Sequence, residues 1–153
     1  MRRLRHLARA GFTLIELMVV MIILVLLAAL VLPKVMGRAE EARRKTTIVQ
    51  LRGIMSALDL YRADNSGRVP TSEQGLEALV KEPTSPPKPK RWKGPYLEGD
   101  QVPKDGWGSD FNYLALEDNR DYKLWSFGAD QVEGGEELDA DINSWQRETW
   151  AEE

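Results

Sequence analysis

The chain has 153 residues, no cysteine, one histidine (His6) and a net charge of −3 from 21 basic and 24 acidic side chains. This length suits one soluble domain and excludes a multidomain enzyme. Without cysteine there is no disulfide, thiolate nucleophile or Cys-ligated zinc site, and a single histidine argues against a His-based catalytic triad. The mean hydropathy of −0.41 hides an uneven distribution, because one segment is strongly apolar and the remainder is polar.

The apolar segment covers residues 12–32, where Thr13 and Glu16 are the only polar side chains. As an α-helix it would be about 30 Å long, which matches the hydrocarbon core of a bilayer. Residues 1–11 precede it with four arginines and no acid, as in an export signal or a membrane anchor. The segment is longer than an ordinary secretory signal and no small-x-small cleavage site follows it. Basic residues also follow the segment, so charge alone leaves its orientation open.

Glu16 is unusual because a carboxylate at the centre of a membrane-spanning helix costs about 2.5–3.5 kcal/mol. In one interpretation it lies at the level of the lipid headgroups and complements the positive end of the helix dipole. In the other, cleavage between Gly11 and Phe12 creates a new α-amino group, and Glu16 pairs with that amine on a neighbouring copy. Each buried charge would then offset the desolvation of the other.

Residues 11–20, GFTLIELMVV, with Pro33 closing the apolar run, resemble the N-terminus of type IV pilins and type II secretion pseudopilins. The resemblance implies that a prepilin peptidase cleaves after Gly11 on the cytoplasmic face of the inner membrane and methylates Phe12. It also implies a periplasmic C-terminal domain. The subunit would leave membrane lipid and pack its apolar helix into the core of a filament, with Glu16 as the assembly residue.

Beyond the apolar segment, residues 33–64 continue the helical pattern. Leu51 and Leu58 belong to a set of apolar residues at helical spacing with polar residues on the other faces, which predicts an amphipathic helix. Together the two stretches predict one rod ending near residue 63, with Pro33 and Gly37 as places for a bend or local melting. An ordinary membrane-anchored domain on a helical stalk would show the same pattern.

The remaining residues, 65–153, predict a small globular part. Thr71 and Gln74 have capping-box spacing before a short helix. Five prolines within residues 82–95 predict a surface loop, and residues 111–116 and 122–127 predict an antiparallel hairpin packed on the rod. The loop contains a basic and aromatic run that is either a contact patch for an acidic partner or simply solvated: Lys88, Lys90, Arg91, Trp92 and Lys93.

An acidic loop follows the hairpin at residues 128–141, with three Asp and three Glu among glycines. Such a density of oxygen ligands suits Ca²⁺, although composition alone favours a solvated acidic loop. Asp139-x-Asp141-x-Asn143 begins like an EF-hand, but Ser144 and Trp150 stand where that motif needs Gly and Glu. The EF-hand interpretation therefore fails.

Several motifs together resemble the major pseudopilin family of type II secretion, general secretion pathway protein G: Glu73-Gln74-Gly75 before Leu76-Glu77-Ala78-Leu79-Val80, Asp105-x-Trp107-Gly108, Ser126-x-Gly128-x-Asp130 and Asp139-x-Asp141-Ile142 with Trp145. The resemblance spans nearly the whole mature chain. It implies one Ca²⁺ held by Asp130, Asp139, Asp141 and the carbonyl of Phe127. Three positions depart from the family pattern: Gly106 replaces the usual Pro, Gln131 the usual Gly, and Asn143-Ser144 the usual Gly-Asn.

We therefore expect an α+β, type IV pilin-like fold, with a long N-terminal helix packed against a small antiparallel sheet and a C-terminal calcium loop. The expected function is that of a non-enzymatic structural subunit whose polymer drives export of folded proteins. Its expected partners are itself, minor pseudopilins, prepilin peptidase, an inner-membrane assembly platform and membrane lipid; the acidic mature chain argues against nucleic acid. Alternatives are a type IV pilin, a non-polymerising membrane-tethered calcium- or carbohydrate-binding module and, third, an enzyme.

Overall fold

The computed structural model of the chain describes residues 12–146 and Trp150. It contains one long helix, α1 (Leu14–Asp64), and a three-stranded sheet: β1 (Asn112–Leu116), β2 (Asp121–Ser126) and β3 (Ile142–Asn143). Two short 3-10 helices lie at Leu76–Leu79 and Glu137–Asp139. The chain divides into two compact units, Met1–Arg38 and Ala39–Glu153. The predicted α+β architecture of a long helix and a small antiparallel sheet is confirmed.

The start of α1 is capped by Thr13. Its Oγ1 accepts a hydrogen bond of 3.2 Å from the backbone N–H of Glu16, which satisfies one of the free donors of the first turn. The segment remains helical at Pro33 and Gly37, the residues where the sequence predicts a bend or local melting. Within the described residues, no helix meets the combined length and hydropathy expected of a membrane-crossing segment.

The end of α1 follows from the turn residues after it. Gly67 donates from its backbone N–H to the carbonyl of Arg62 (3.0 Å), a bond typical of the Schellman motif. Ser66 and Gly67 have φ values of 60° and 79°, a left-handed conformation that ends the helix. The predicted end near residue 63 is therefore confirmed to within one residue, at Asp64.

The core lies between the second half of α1 and the sheet. Leu51, Ile54 and Leu58 are completely buried, and they belong to one apolar cluster with Leu124 of β2 and Ile142 of β3. These helical residues share one face because they are three or four positions apart. The predicted packing of the hairpin on this part of the helix is confirmed.

The capping box predicted at Thr71 and Gln74 is present. The backbone N–H of each residue donates to the side-chain oxygen of the other, both at 3.1 Å. A turn and the 3-10 helix at Leu76–Leu79 follow, so the predicted short helix is of the 3-10 type. Within the described residues, the Pro-rich loop at 82–95 contains no strand or helix, as predicted.

In the sheet, β1 and β2 pair antiparallel, with Leu114 opposite Lys123. The predicted hairpin is therefore correct with one-residue shifts at its strand boundaries. β3 adds a second antiparallel pairing, in which Ile142 lies opposite Ser126. β3 was not predicted from the sequence, because a two-residue strand is too short to show an alternating pattern.

The turn at residues 105–108 ties the sheet to α1. Ser126 donates from its hydroxyl to the buried Asp105 carboxylate (2.7 Å), and the backbone N–H of Gly106 donates to Thr47 Oγ1 on α1 (2.8 Å). A Cβ at Gly106 would lie only 2.2 Å from the carbonyl oxygen of Arg43. With the two backbones this close, a residue with a Cβ fits here only if they move apart.

Candidate functional site

The first half of α1 exposes an apolar surface. All large apolar side chains from Phe12 to Leu30 are between 49% and 83% exposed. Monomeric soluble proteins rarely expose a contiguous apolar surface of this kind, and such surfaces mark contacts with other proteins or with membranes. The segment therefore needs a covering that the described part of the chain does not provide.

Glu16 interrupts this apolar surface in the first turn of the helix. Its side chain is exposed and forms no ion pair with another described residue. Its backbone N–H is held by Thr13, and its carboxylate is available to a group from outside the described residues. Phe12 lies before the helix begins, and the predicted cleavage residue Gly11 lies outside the described residues.

The acidic loop begins directly after β2 and is organised by its own carboxylates. Asp130 Oδ1 accepts a hydrogen bond of 3.1 Å from the backbone N–H of Val132. Asp141 bonds to Gly134 twice: its Oδ2 accepts from the backbone N–H of Gly134 (3.0 Å), and its own N–H donates to the Gly134 carbonyl (3.1 Å). These contacts close the loop on itself.

Two glycines allow carbonyl groups to approach the loop interior. Gly128 and Gly135 have φ values of 71° and 81°, a region that favours glycine. A Cβ at Gly135 would lie 2.3 Å from the carbonyl oxygen of Asp139, and one at Gly128 would lie 3.3 Å from that of Ala140. Side chains at these positions would therefore collide with the carbonyl oxygens or require the loop to shift.

The predicted metal ligands are only partly brought together. Asp130 and Asp139 are exposed, and Phe127 is half-buried with its ring 6.2 Å from that of Trp125. In the part of the chain that the structure describes, no three acidic or histidine side chains come close enough to hold a metal ion. Cation binding at this loop would therefore also require backbone carbonyl oxygens.

One atom of the loop stands out. Asp141 Oδ1 is buried and has no hydrogen-bond partner among the described residues. A buried carboxylate oxygen without a partner is costly, and a bound cation would remove that cost. Ca²⁺ accepts six to eight oxygens from carboxylates and carbonyls in a flexible arrangement, so the donor types of this loop fit it.

Arg44 was not identified from the sequence as part of this site. Its guanidinium is buried and donates from Nη1 to the carbonyl of Ala140 (3.0 Å), which joins the acidic loop to α1. A buried arginine 96 positions from its acceptor leaves no local signal in the sequence.

The chain matches two sequence families. The family described as "Type II secretion system (T2SS), protein G" matches residues 34–145, and the "Prokaryotic N-terminal methylation motif" matches residues 7–32. The long helix, the small antiparallel sheet and this motif define a type IV pilin-like protein. Because the first family covers most of the chain, the chain belongs to the protein G family of the type II secretion system.

Individual relatives agree with this assignment. The type II secretion system core protein G of Pseudomonas aeruginosa is 48% identical over 138 residues, covering 90% of this chain and 95% of the relative. That of Vibrio cholerae is 41% identical, with 95% and 96% covered. The crystal structure of the major pseudopilin from enterohaemorrhagic Escherichia coli superposes with a TM-score of 0.61 at 37% identity, covering 73% of this chain and 90% of that one.

Proposed function

We propose that the chain is a structural subunit of the type II secretion pseudopilus, which polymerises through its N-terminal helix to drive export of folded proteins across the outer membrane. The observation that carries this proposal is the exposed apolar surface from Phe12 to Leu30. Membership of the protein G family and the similarity to a crystal structure of a major pseudopilin support it.

The apolar segment needs a different environment before and after assembly. Burying one large apolar side chain contributes about 1.5–3 kcal/mol, so the segment is unfavourable in water. We place it first in the inner membrane as a single pass, with the N-terminus cytoplasmic and the C-terminal part periplasmic. In the filament it packs against neighbouring copies instead, and because lipid is also apolar, close packing and polar pairs must drive the transfer.

Glu16 supplies that polar pair in the proposed filament. Prepilin peptidase cleaves after Gly11 and methylates Phe12, and the new terminal amine of one copy pairs with Glu16 of its neighbour. The match to the N-terminal methylation motif supports the processing step, and the exposed carboxylate without an ion pair in the described chain supports the contact. A charge pair excluded from water is strongly favourable relative to either charge alone.

Other components of the secretion system complete the proposal. Minor pseudopilins and an inner-membrane assembly platform are the proposed protein partners, besides other copies of the chain and the peptidase. The role assigned to the chain is mechanical rather than catalytic, and no nucleic acid takes part.

Replacing Glu16 by Ala tests the proposal. We expect the Ala39–Glu153 unit to remain folded and filament formation to be lost, as measured by shearing filaments from cells and by electron microscopy. Glu98→Ala, at an exposed acid outside the apolar segment, is the matched control and should assemble normally. Normal filaments from the Glu16→Ala variant would contradict the proposed pairing.

Mass spectrometry of the mature N-terminus provides an independent check of processing. We expect the chain to begin with methylated Phe12. A mature protein that retains Met1 would contradict cleavage and, with it, the creation of the amine that Glu16 is proposed to bind.

We also propose that the acidic loop binds one Ca²⁺ through Asp130, Asp139, Asp141 and the carbonyl of Phe127. The buried, unpartnered Oδ1 of Asp141 supports this assignment. The ion would fix the loop after β2 by joining its two ends, a role that a disulfide cannot have in a chain without cysteine.

A further inference from the structure

A cavity of about 540 Å³ lies between the end of α1 and the Pro-rich loop. Four basic residues line it, Arg68, Lys88, Lys90 and Arg120, and its lining includes no acidic side chain. None of the four forms an ion pair with a residue in the described part of the chain. We call this cavity with its four cations the basic cavity.

Hydrogen bonds hold the walls of the basic cavity in place. Gln74, which already belongs to the capping box, donates from Nε2 to the carbonyls of Ser85 and Pro87, both at 3.0 Å. The backbone N–H of Arg91 donates to Oδ1 of Asn65 (3.4 Å). The Pro-rich loop is therefore fixed against the end of α1, and the cavity exists without a ligand.

Tyr61 adds a hydrogen-bond donor to the wall of the basic cavity. It lines the cavity, is only 3% exposed, and its hydroxyl makes no hydrogen bond with any described residue. Burial, with a smaller contribution from Tyr96, raises the pKa of Tyr61 to about 12, so the hydroxyl keeps its proton. A protonated hydroxyl in the wall of the cavity can donate a hydrogen bond to an anion.

The same chain carries a matching negative surface. Glu133, Glu136 and Glu137 are exposed residues of the acidic loop, and none is among the proposed calcium ligands. None forms an ion pair within the described chain. We call these three residues the glutamate cluster.

The two charged surfaces belong to different ends of the Ala39–Glu153 unit. The acidic loop is bonded to Arg44 of α1 through Ala140, whereas the basic cavity is lined by Tyr61. Seventeen residues of helix separate Arg44 from Tyr61, which corresponds to about 25 Å at 1.5 Å per residue. Opposite charges at two ends of one unit favour contact between copies placed end to end.

We propose that the basic cavity of one copy receives the glutamate cluster of the next. Because two different surfaces meet, the contact is heterologous and extends into an open filament rather than closing into a pair. This inference rests on the proposed function and deepens it, since it adds a contact between the globular parts to the one between the apolar helices.

Charge reversal in the full-length chain tests the contact. Lys88→Glu with Lys90→Glu, and separately Glu136→Lys with Glu137→Lys, should each reduce filament yield about tenfold, because like charges then face each other. Combining all four substitutions should restore the yield to within about twofold of wild type, because the pairs are re-formed with reversed sign. Lys81→Glu and Glu98→Lys, at exposed positions outside both surfaces, are the matched controls.

Cross-linking locates the contact directly. Because the chain has no cysteine, Lys88→Cys and Glu136→Cys introduce the only thiols. Mixed filaments of the two variants should form a disulfide-linked dimer on oxidation, and filaments of either variant alone should form at most about one tenth as much.

The outcomes separate this contact from the proposed function. If the wild-type chain forms filaments, but charge reversal does not lower the filament yield and no cross-link forms, the proposed contact is wrong. The proposed function would remain intact. If only the variant with both lysines reversed loses filament yield, the cavity binds a different acidic partner. The proposed contact with the glutamate cluster would then also be wrong. A wild-type chain that forms no filament would overturn the proposed function and this inference together.

Discussion

Apolar side chains are exposed in the first half of α1, whereas in the second half those on one face are buried. Leu24, in the first half, is 54% exposed, whereas Leu51 and Leu58, in the second half, are completely buried. Apolar residues cover all faces of the first half, whereas the second half alternates them with polar residues such as Asp59. Hydrophobicity alone therefore does not indicate a core, because the first half must obtain its covering from outside the chain.

The largest expected effect comes from truncating one leucine in each half. Leu51→Ala should lower the free energy of unfolding by about 2–5 kcal/mol, because it leaves a cavity in the core. Leu24→Ala should leave the unfolding of the Ala39–Glu153 unit unchanged, because its side chain is outside that core. Denaturant unfolding of the full chain in detergent, followed by tryptophan fluorescence, measures both, since all five tryptophans lie in that unit. Equal losses of unfolding free energy in the two variants would contradict the difference between the two halves.

Asp105 tests how the second half of α1 is connected to the sheet. Its Oδ1 accepts from the backbone N–H groups of Trp107 (3.0 Å) and Ser109 (2.8 Å), and its Oδ2 accepts from Ser126. Asp105→Ala should cost about 3 kcal/mol of stability, because it removes several hydrogen bonds to a buried charge. Asp105→Asn keeps one acceptor oxygen and should lose less, as measured by thermal unfolding. An Ala variant as stable as wild type would contradict a connecting role.

Calcium should stabilise only the unit that contains the acidic loop. At free Ca²⁺ of about 100 times the Kd, binding should stabilise the Ala39–Glu153 unit by about 2.7 kcal/mol. Calorimetry with calcium and with a chelator, on wild type and Asp141→Asn, should show a rise in Tm for wild type only. The Glu98→Gln variant, away from the loop, should respond like wild type. A wild-type Tm independent of calcium would contradict the proposed site.

The smallest effect is expected where α1 ends. A 2.7 Å hydrogen bond from Lys93 to Asp64 lowers the pKa of this carboxyl below its ordinary value of 3.8. The pairing of Lys93 with Asp64 therefore stabilises the fold at pH values above the pKa of Asp64 in the unfolded chain. This stabilisation is lost as the pH falls through the lower pKa of Asp64 in the folded chain. Lys93→Met should remove the lowering of the Asp64 pKa that Lys93 causes, as measured by NMR titration of Asp64. An unchanged titration would exclude the pairing, and Lys81→Met is the control.

The sequence predicts those features that depend on local patterns. The helical periodicity around Leu51 and the turn signals before and after the hairpin indicate the helix and its two main strands. The spacing of Thr71 and Gln74 predicts the capping box, because both partners lie within one turn. The sequence analysis did not predict β3 or the 3-10 helix at Glu137–Asp139, since each has too few residues to show a period.

Distant contacts explain what the sequence did not predict at the sites. The basic run at residues 88–93 is split by the structure: Lys88 and Lys90 line the cavity, whereas Lys93 pairs with Asp64. Arg68 joins them across the fold from another segment. The carbonyl of Asp139, which lies against Gly135, likewise leaves no sequence signal, because every residue has a carbonyl and only the fold gives it a direction.

The cap at Thr13 has a consequence for maturation. Because α1 begins at Leu14, Phe12 lies outside the helix, and the hydrogen bonds described for the first turn are accepted by Thr13, from the backbone N–H groups of Glu16 and Leu17. Hydrolysis of the bond that precedes Phe12 therefore removes none of the hydrogen bonds that hold that turn. The cleavage proposed above therefore leaves the described first turn of α1 in place.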